Sequence, residues 1–196
     1  MRKQVTFLFA MLSLVSCGAY FEDAAPLMGY HQENTAPVGY WTNETFHLTI
    51  TDGPDHADKI CIADDEGVIH ADLHSIPAND FSLIVLSNII LAERFINEEP
   101  STPSSLNGSL IFAAEHDGDT LYTQDAFEYI EEDDTLPFAS YCLPRDPDRT
   151  LMSISYVPFC LSPTVTPDDI AVWVSARGDS EISAYRRTAT ASLHCP

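Results

Sequence analysis

From residue 45 onward apolar and polar side chains alternate, and this two-residue period constrains the fold more than any other feature of the chain. Phe46, Leu48 and Ile50 interleave with His47, Thr49 and Thr51, so one face of an extended segment is apolar and the other wet. Ile60-Cys61-Ile62 and Val68-Ile69 flank Asp64-Asp65-Glu66-Gly67, which reads as a hairpin. Leu110-Ile111-Phe112 and Thr120-Leu121-Tyr122 flank His116-Asp117-Gly118-Asp119, a second hairpin with Asp-Gly at its tip. Met152, Ile154 and Tyr156 alternate with Ser153, Ser155 and Val157. Ala171, Trp173 and Ser175 alternate with Ile170, Val172 and Val174, apolar on nearly both faces, which predicts a central strand. Gly178 would turn that strand back into a last one over residues 182–190.

Residues 81–99 have two readings. A helix over 81–98 would start at Asn79 or Asp80 and stop before Pro100. Its apolar residues would run all the way round the wheel, and Glu98 and Glu99 would sit at the negative end of the helix dipole. The favoured reading is therefore extended, with Ser87-Asn88 turning two strands. Short strands with regular turn signals point to a mainly β chain, a single β-sandwich.

The N-terminus sets the compartment. Arg2 and Lys3 precede an apolar run over residues 5–15, too short for a stable bilayer anchor and right for a secretory signal peptide. The run ends in Leu14-Val15-Ser16-Cys17, which resembles the lipobox of bacterial lipoproteins. That resemblance implies cleavage after Ser16 and a palmitoylated, diacylated Cys17. Gly18 in the following position implies the outer membrane, with the domain facing the periplasm. The expected organisation is a signal peptide over 1–16, a lipidated tether over 17–43 rich in Pro, Gly, Asn and Ala, and the β-sandwich over 44–196.

Four cysteines remain after Cys17, namely Cys61, Cys142, Cys160 and Cys195, an even number that in an exported chain argues for two disulfides. Register arithmetic predicts their pairing. If Gly178 centres the last hairpin, Cys195 faces Leu161, next to Cys160. This gives Cys160–Cys195 and leaves Cys61–Cys142 as a long-range staple.

Charge narrows the partners. Removing Arg2 and Lys3 lowers the Lys plus Arg count from 9 to 7 against 30 Asp plus Glu, so the formal charge moves from −21 to −23. Such a surface repels nucleic acid and anionic headgroups and attracts basic proteins or cations. His70-Ala71-Asp72-Leu73-His74 would place His70, Asp72 and His74 on one strand face, where two of them with a ligand from elsewhere could hold zinc or copper. No other cofactor is implied. There is no G-x-S-x-G elbow, no H-E-x-x-H pair and no phosphate loop, so the chain reads as a non-enzyme.

Lys59-Ile60-Cys61-Ile62 and Tyr141-Cys142-Leu143-Pro144 carry a further resemblance, to immunity lipoproteins that protect bacteria against periplasmic toxins. It implies a lipid-anchored, acidic inhibitor of a basic toxin. A periplasmic metal-binding protein using His70, Asp72 and His74 is the alternative.

Overall fold

A computed structural model describes residues 20–32, 35–53, 57–64, 67–93, 104–106, 108–124, 136–142, 159–176, 182–192 and 195. Cys17, residues 1–16 expected as a signal peptide, the Met152–Tyr156 alternation and the expected turn at Gly178 lie outside these residues. The chain opens with β1 (Tyr20–Phe21), α1 (Ala25–Met28), β2 (Gly39–Thr42) and β3 (His47–Thr51). It continues through β4 (Asp58–Ala63), β5 (Gly67–Ala78), β6 (Phe81–Glu93), β7 (Ser104–Leu106), β8 (Ser109–Asp117) and β9 (Thr120–Gln124). The last elements are β10 (Ala139–Tyr141), β11 (Phe159–Leu161), α2 (Pro167–Ala176) and β12 (Ile182–Thr188).

The architecture is a closed barrel of eight antiparallel strands, not the expected sandwich. Around the ring the order is β2-β3-β4-β5-β6-β8-β9-β12, and β12 pairs back onto β2 to close it. Closure removes the exposed edges that a sandwich must protect. β6 does two jobs along its 13 residues. Residues 82–86 pair with β8, and residues 89–91 pair with β7, so β7 and β8 are two pieces of one strand across the seam.

The reading of residues 81–98 as extended is right for residues 81–93, but Ser87-Asn88 is not a turn. The β5–β6 register slips between His70 and Asp72, and Asn88 takes a positive φ of 50° there, which marks a bulge. The turn lies earlier, at Asn79-Asp80, where Asn79 has the same positive φ of 50°.

Strand alternation sorts the core into layers. Trp41, Leu48, Ile50, Ile60, Ile69, Leu73, Ile84, Leu86 and Leu121 form one contiguous cluster inside the barrel. Their neighbours Ile76, Leu83, Val85, Ile111 and Ala113 point outward and pack with Phe21, Leu27, Phe138, Phe159, Leu161, Ile170 and Val174. This second layer is built from β1, α1, β10, β11 and α2. Burying each large aliphatic side chain fully there contributes about 1.5–3 kcal/mol.

Three expectations fail here. Residues 170–175 are helix, not a central strand. Thr166 and Asp169 form a reciprocal cap: Thr166 N and Oγ1 both donate to Asp169 Oδ2, at 2.8 and 2.7 Å, and Asp169 N donates back to Thr166 Oγ1 at 3.3 Å. Those hydrogen bonds hold the Asp169 carboxyl below its usual range. Pro167, Ile170, Ala171 and Val174 are buried at helical spacing, while Val172 is 68% exposed.

The stretch expected to be a tether is instead woven into the domain from Tyr20. It supplies β1, α1 and barrel strand β2, with Leu27 and Trp41 fully buried.

The disulfides pair otherwise than expected. They are Cys61–Cys195 and Cys142–Cys160, not Cys160–Cys195 and Cys61–Cys142. With a helix before it, β12 has no hairpin partner at 170–176 and pairs with β9 and β2. The chain beyond it then runs over β3 and β4, where Thr49 Oγ1 donates to the Cys195 carbonyl at 3.2 Å and Cys61 lies opposite Thr49.

Candidate functional site

His70, Asp72 and His74 do share the outward face of β5, yet they do not converge. His70 is exposed, at the end of the bulge. Both oxygens of Asp72 are occupied: Lys59 Nζ pairs with Oδ1, and Asn88 Nδ2 donates to Oδ2 at 2.7 Å. Partial burial pushes the Asp72 carboxyl up, but these hydrogen bonds and the Lys59 charge outweigh it and hold the group below its usual range.

His74 has different partners. Its Nε2 shares a hydrogen bond with Ser87 Oγ at 3.1 Å, and its ring meets His31 edge-on at 5.3 Å. Burial first, and then His31, keep His74 below the ordinary histidine value, with Asp72 and Asp58 pulling against them. The histidine partner of His74 is thus His31, 43 positions away in the stretch read as a tether, and no local sequence signal links the two.

His31 holds that stretch onto the barrel. Its Nδ1 donates to the Ser75 carbonyl at 3.0 Å, and Gln32 N donates to the same oxygen at 3.1 Å. Nε2 of His31 and Oγ of Ser75 are buried without a partner among the described residues. Asp58 sits near the same end of the barrel, its carboxyl pushed up by burial and by Asp52.

Residues 36–38 meet the barrel at that end, where Ala36 packs against the interior cluster. Trp41 Nε1 donates to the Pro37 carbonyl at 2.8 Å, and Arg187 Nη2 donates to the Val38 carbonyl at 3.0 Å. The guanidinium of Arg187 lies 5.3 Å over the Trp41 ring, and His116 meets the same ring edge-on at 5.2 Å. Gly39 has a φ of +145°, and a Cβ there would come within 3.1 Å of the Arg187 guanidinium, so only glycine fits comfortably. The interior is filled by a continuous apolar cluster, so the lumen is core rather than cavity.

One wall lacks a second layer among the described residues. Leu121 and Tyr185 point inward, so Tyr122, Ile182 and Ala184 point outward. Ala184 lies opposite Tyr122, which places Ile182 diagonal to that ring. Tyr122 is 37% exposed and Ile182 61%. Glu115 stands opposite Tyr122 on β8, and Asp117 and Asp119 belong to the adjoining hairpin tip, where Gly118 has a φ of 56°. The result is a small apolar patch with acidic residues along its β8 side and one exposed cation, Arg186, which lies diagonal to Tyr122 and donates to Thr120 Oγ1 at 3.3 Å. Sequence reading identified the hairpin but not the patch, because the neighbour of Tyr122 comes from β12, about sixty positions further on.

No protein-family model matches the chain, and no curated protein and no solved structure matches it.

Proposed function

We propose that the chain is an exported, lipid-anchored binding protein whose barrel engages a basic protein partner through the β9–β12 wall. The carrying observation is that wall: two exposed apolar anchors, Tyr122 and Ile182, beside Glu115, Asp117 and Asp119. Apolar anchors with a charged rim suit protein recognition, the anchors supplying affinity and the acid supplying steering and selection of partner. Two disulfides, one of sequence separation 134 and one of 18, favour export into an oxidising compartment, in keeping with the apolar N-terminal run and the lipobox-like Leu14–Cys17. In its specific form the reading is an acylated Cys17 in the outer membrane, the barrel facing the periplasm, and an immunity-type role against a basic toxin.

A photo-crosslinking residue at position 122, introduced in cells, tests it. The expected outcome is an adduct with a basic periplasmic protein that fades with salt and with the double change Glu115→Lys and Asp117→Lys. The same probe at position 172, on α2, should give no such adduct. Equal adducts from both positions, or indifference to the charge reversal, would refute the reading.

A further inference from the structure

We propose that reduction of the Cys142–Cys160 disulfide opens a zinc site made by the two cysteine sulfurs and the Glu22 carboxylate. This goes beyond the binding role and does not rest on it. Among the described residues these three form the one group of potential ligands whose donor atoms all lie within 4.8 Å of one another. Glu22 Oε2 stands 3.2 Å from Cys160 Sγ.

The backbone holds the three residues together without help from the sulfur–sulfur bond. Glu22 N donates to the Phe159 carbonyl at 2.9 Å, and Phe21 pairs in parallel with Phe159, one residue before Cys160. β10 runs antiparallel to β11 over three pairs, Ala139 with Leu161, Ser140 with Cys160 and Tyr141 with Phe159, which brings Cys142 to the same end. Ser162 N donates to the Phe138 carbonyl at 2.8 Å and closes the other end of that ladder. Phe21, Phe138, Phe159 and Leu161 beneath these strands are buried in the outer core. Cutting the bridge therefore leaves its ends placed.

Access separates the two disulfides. Cys142 and Cys160 are half-buried and Glu22 is exposed, whereas Cys61 and Cys195 are 7% and 0% exposed. A dithiol reductant reaches the first bridge and not the second. It gives two electrons and two protons to the Cys142–Cys160 bond and becomes a disulfide itself. Zinc then displaces the two thiol protons and is bound by two thiolates and a carboxylate, with water in the fourth position. In the oxidised protein the sulfurs have no thiolate to offer. In the reduced, metal-free protein the Glu22 carboxylate would oppose thiolate formation, and the charge of the metal removes that opposition.

The test uses the full chain carrying Cys17→Ser, so that thiols arise only from the two bridges, and an immobilised dithiol as reductant. Mild treatment should release two thiols per chain, leave the near-ultraviolet circular dichroism intact and create one zinc site in competition with a metallochromic dye. Glu22→Gln should keep the thiol release and weaken zinc by about tenfold or more. The double variant Cys142→Ser, Cys160→Ser should fold and bind no zinc under either condition. Zinc binding by the reduced protein no stronger than by that double variant would overturn the proposal. So would an unchanged affinity in Glu22→Gln, or release of all four thiols together with loss of the folded signal.

Discussion

The outer faces of β5, β6 and β8 and those of β9 and β12 belong to one closed sheet, yet they meet different surroundings. On the first, Ile76, Leu83, Val85, Ile111 and Ala113 are buried beneath two helices and three short strands. On the second, Tyr122 and Ile182 remain 37% and 61% exposed. The difference is written into the strands. Leu83 to Leu86 and Leu110 to Ala114 are apolar at every position, because both of their faces are covered. Thr120 to Gln124 and Ile182 to Thr188 are instead interrupted by polar residues, among them Thr120, Thr123, Gln124, Ser183, Arg186 and Arg187. A strand apolar at every position therefore marks where a second layer docks, and a strand interrupted by polar residues marks where, among the described residues, none does.

Four measurements sharpen or break that contrast. The largest effect is expected from the buried bridge that pins the C-terminus onto β4. The double change Cys61→Ser, Cys195→Ser opens a loop of sequence separation 134 and should lower unfolding free energy in denaturant by about 4–5 kcal/mol in the chain-entropy model. Next, Leu83→Ala on the covered wall should cost about 2–5 kcal/mol as a cavity opens in the outer core. A cost below that of the bare-wall change described last would remove the distinction between the walls.

The third concerns the margin of the covered wall, where His31 and His74 meet. The folded protein disfavours the charged form of His74, so its stabilising effect is complete above the ordinary value of 6.5 and is lost as pH falls through that value towards the lower folded one. The melting temperature should decline as pH drops below about 6.5, and His74→Gln should flatten the decline. Asp58, pushed upward, works in the opposite sense, but only close to the carboxylate range. A profile identical in parent and variant would show that His74 does not carry the effect. The smallest change is expected from Ile182→Ser on the bare wall, within about 0.5 kcal/mol of the parent.

Much of the barrel was legible in the sequence, and what was missed shares a cause. β3, β4, β5, β8 and β9 follow from two-residue alternation and from the turn signals Asp64–Gly67 and His116–Asp119, all of them within a dozen residues. Closure depends on β12 meeting β2 and on β6 meeting β8, where Thr188 faces Tyr40 and Leu86 faces Leu110. Nothing local to any of these residues announces its partner. The helix at 167–176 has a local signal in Thr166-Pro167-Asp168-Asp169, a capping pattern with proline in the first turn, which competes with the alternation over 170–175. That one error propagated, because the predicted cysteine pairing took its register from a hairpin that does not exist.

The same holds for the candidate site. His70, Asp72 and His74 were correctly placed on one strand face, but what each touches comes from Lys59, Ser87, Asn88 and His31. The stretch holding His31 looked like a spacer because its prolines and glycines break periodicity. In the fold the same stretch supplies a strand, a helix and a barrel strand.

The early entry of the chain into the fold bears on how the domain would sit in a cell. Pairing begins at Tyr20, against Leu110 of β8. On the proposed acylation of Cys17, only Gly18 and Ala19 stand between the lipid-bearing residue and the first paired one, a leash of about 10 Å at full extension. So tethered, the domain would be held within about that distance of the bilayer, despite its acidic surface, and would not sweep the space between membranes. A partner would have to come down to the bilayer to meet it, and the drag of that encounter would fall first on two residues of β-strand.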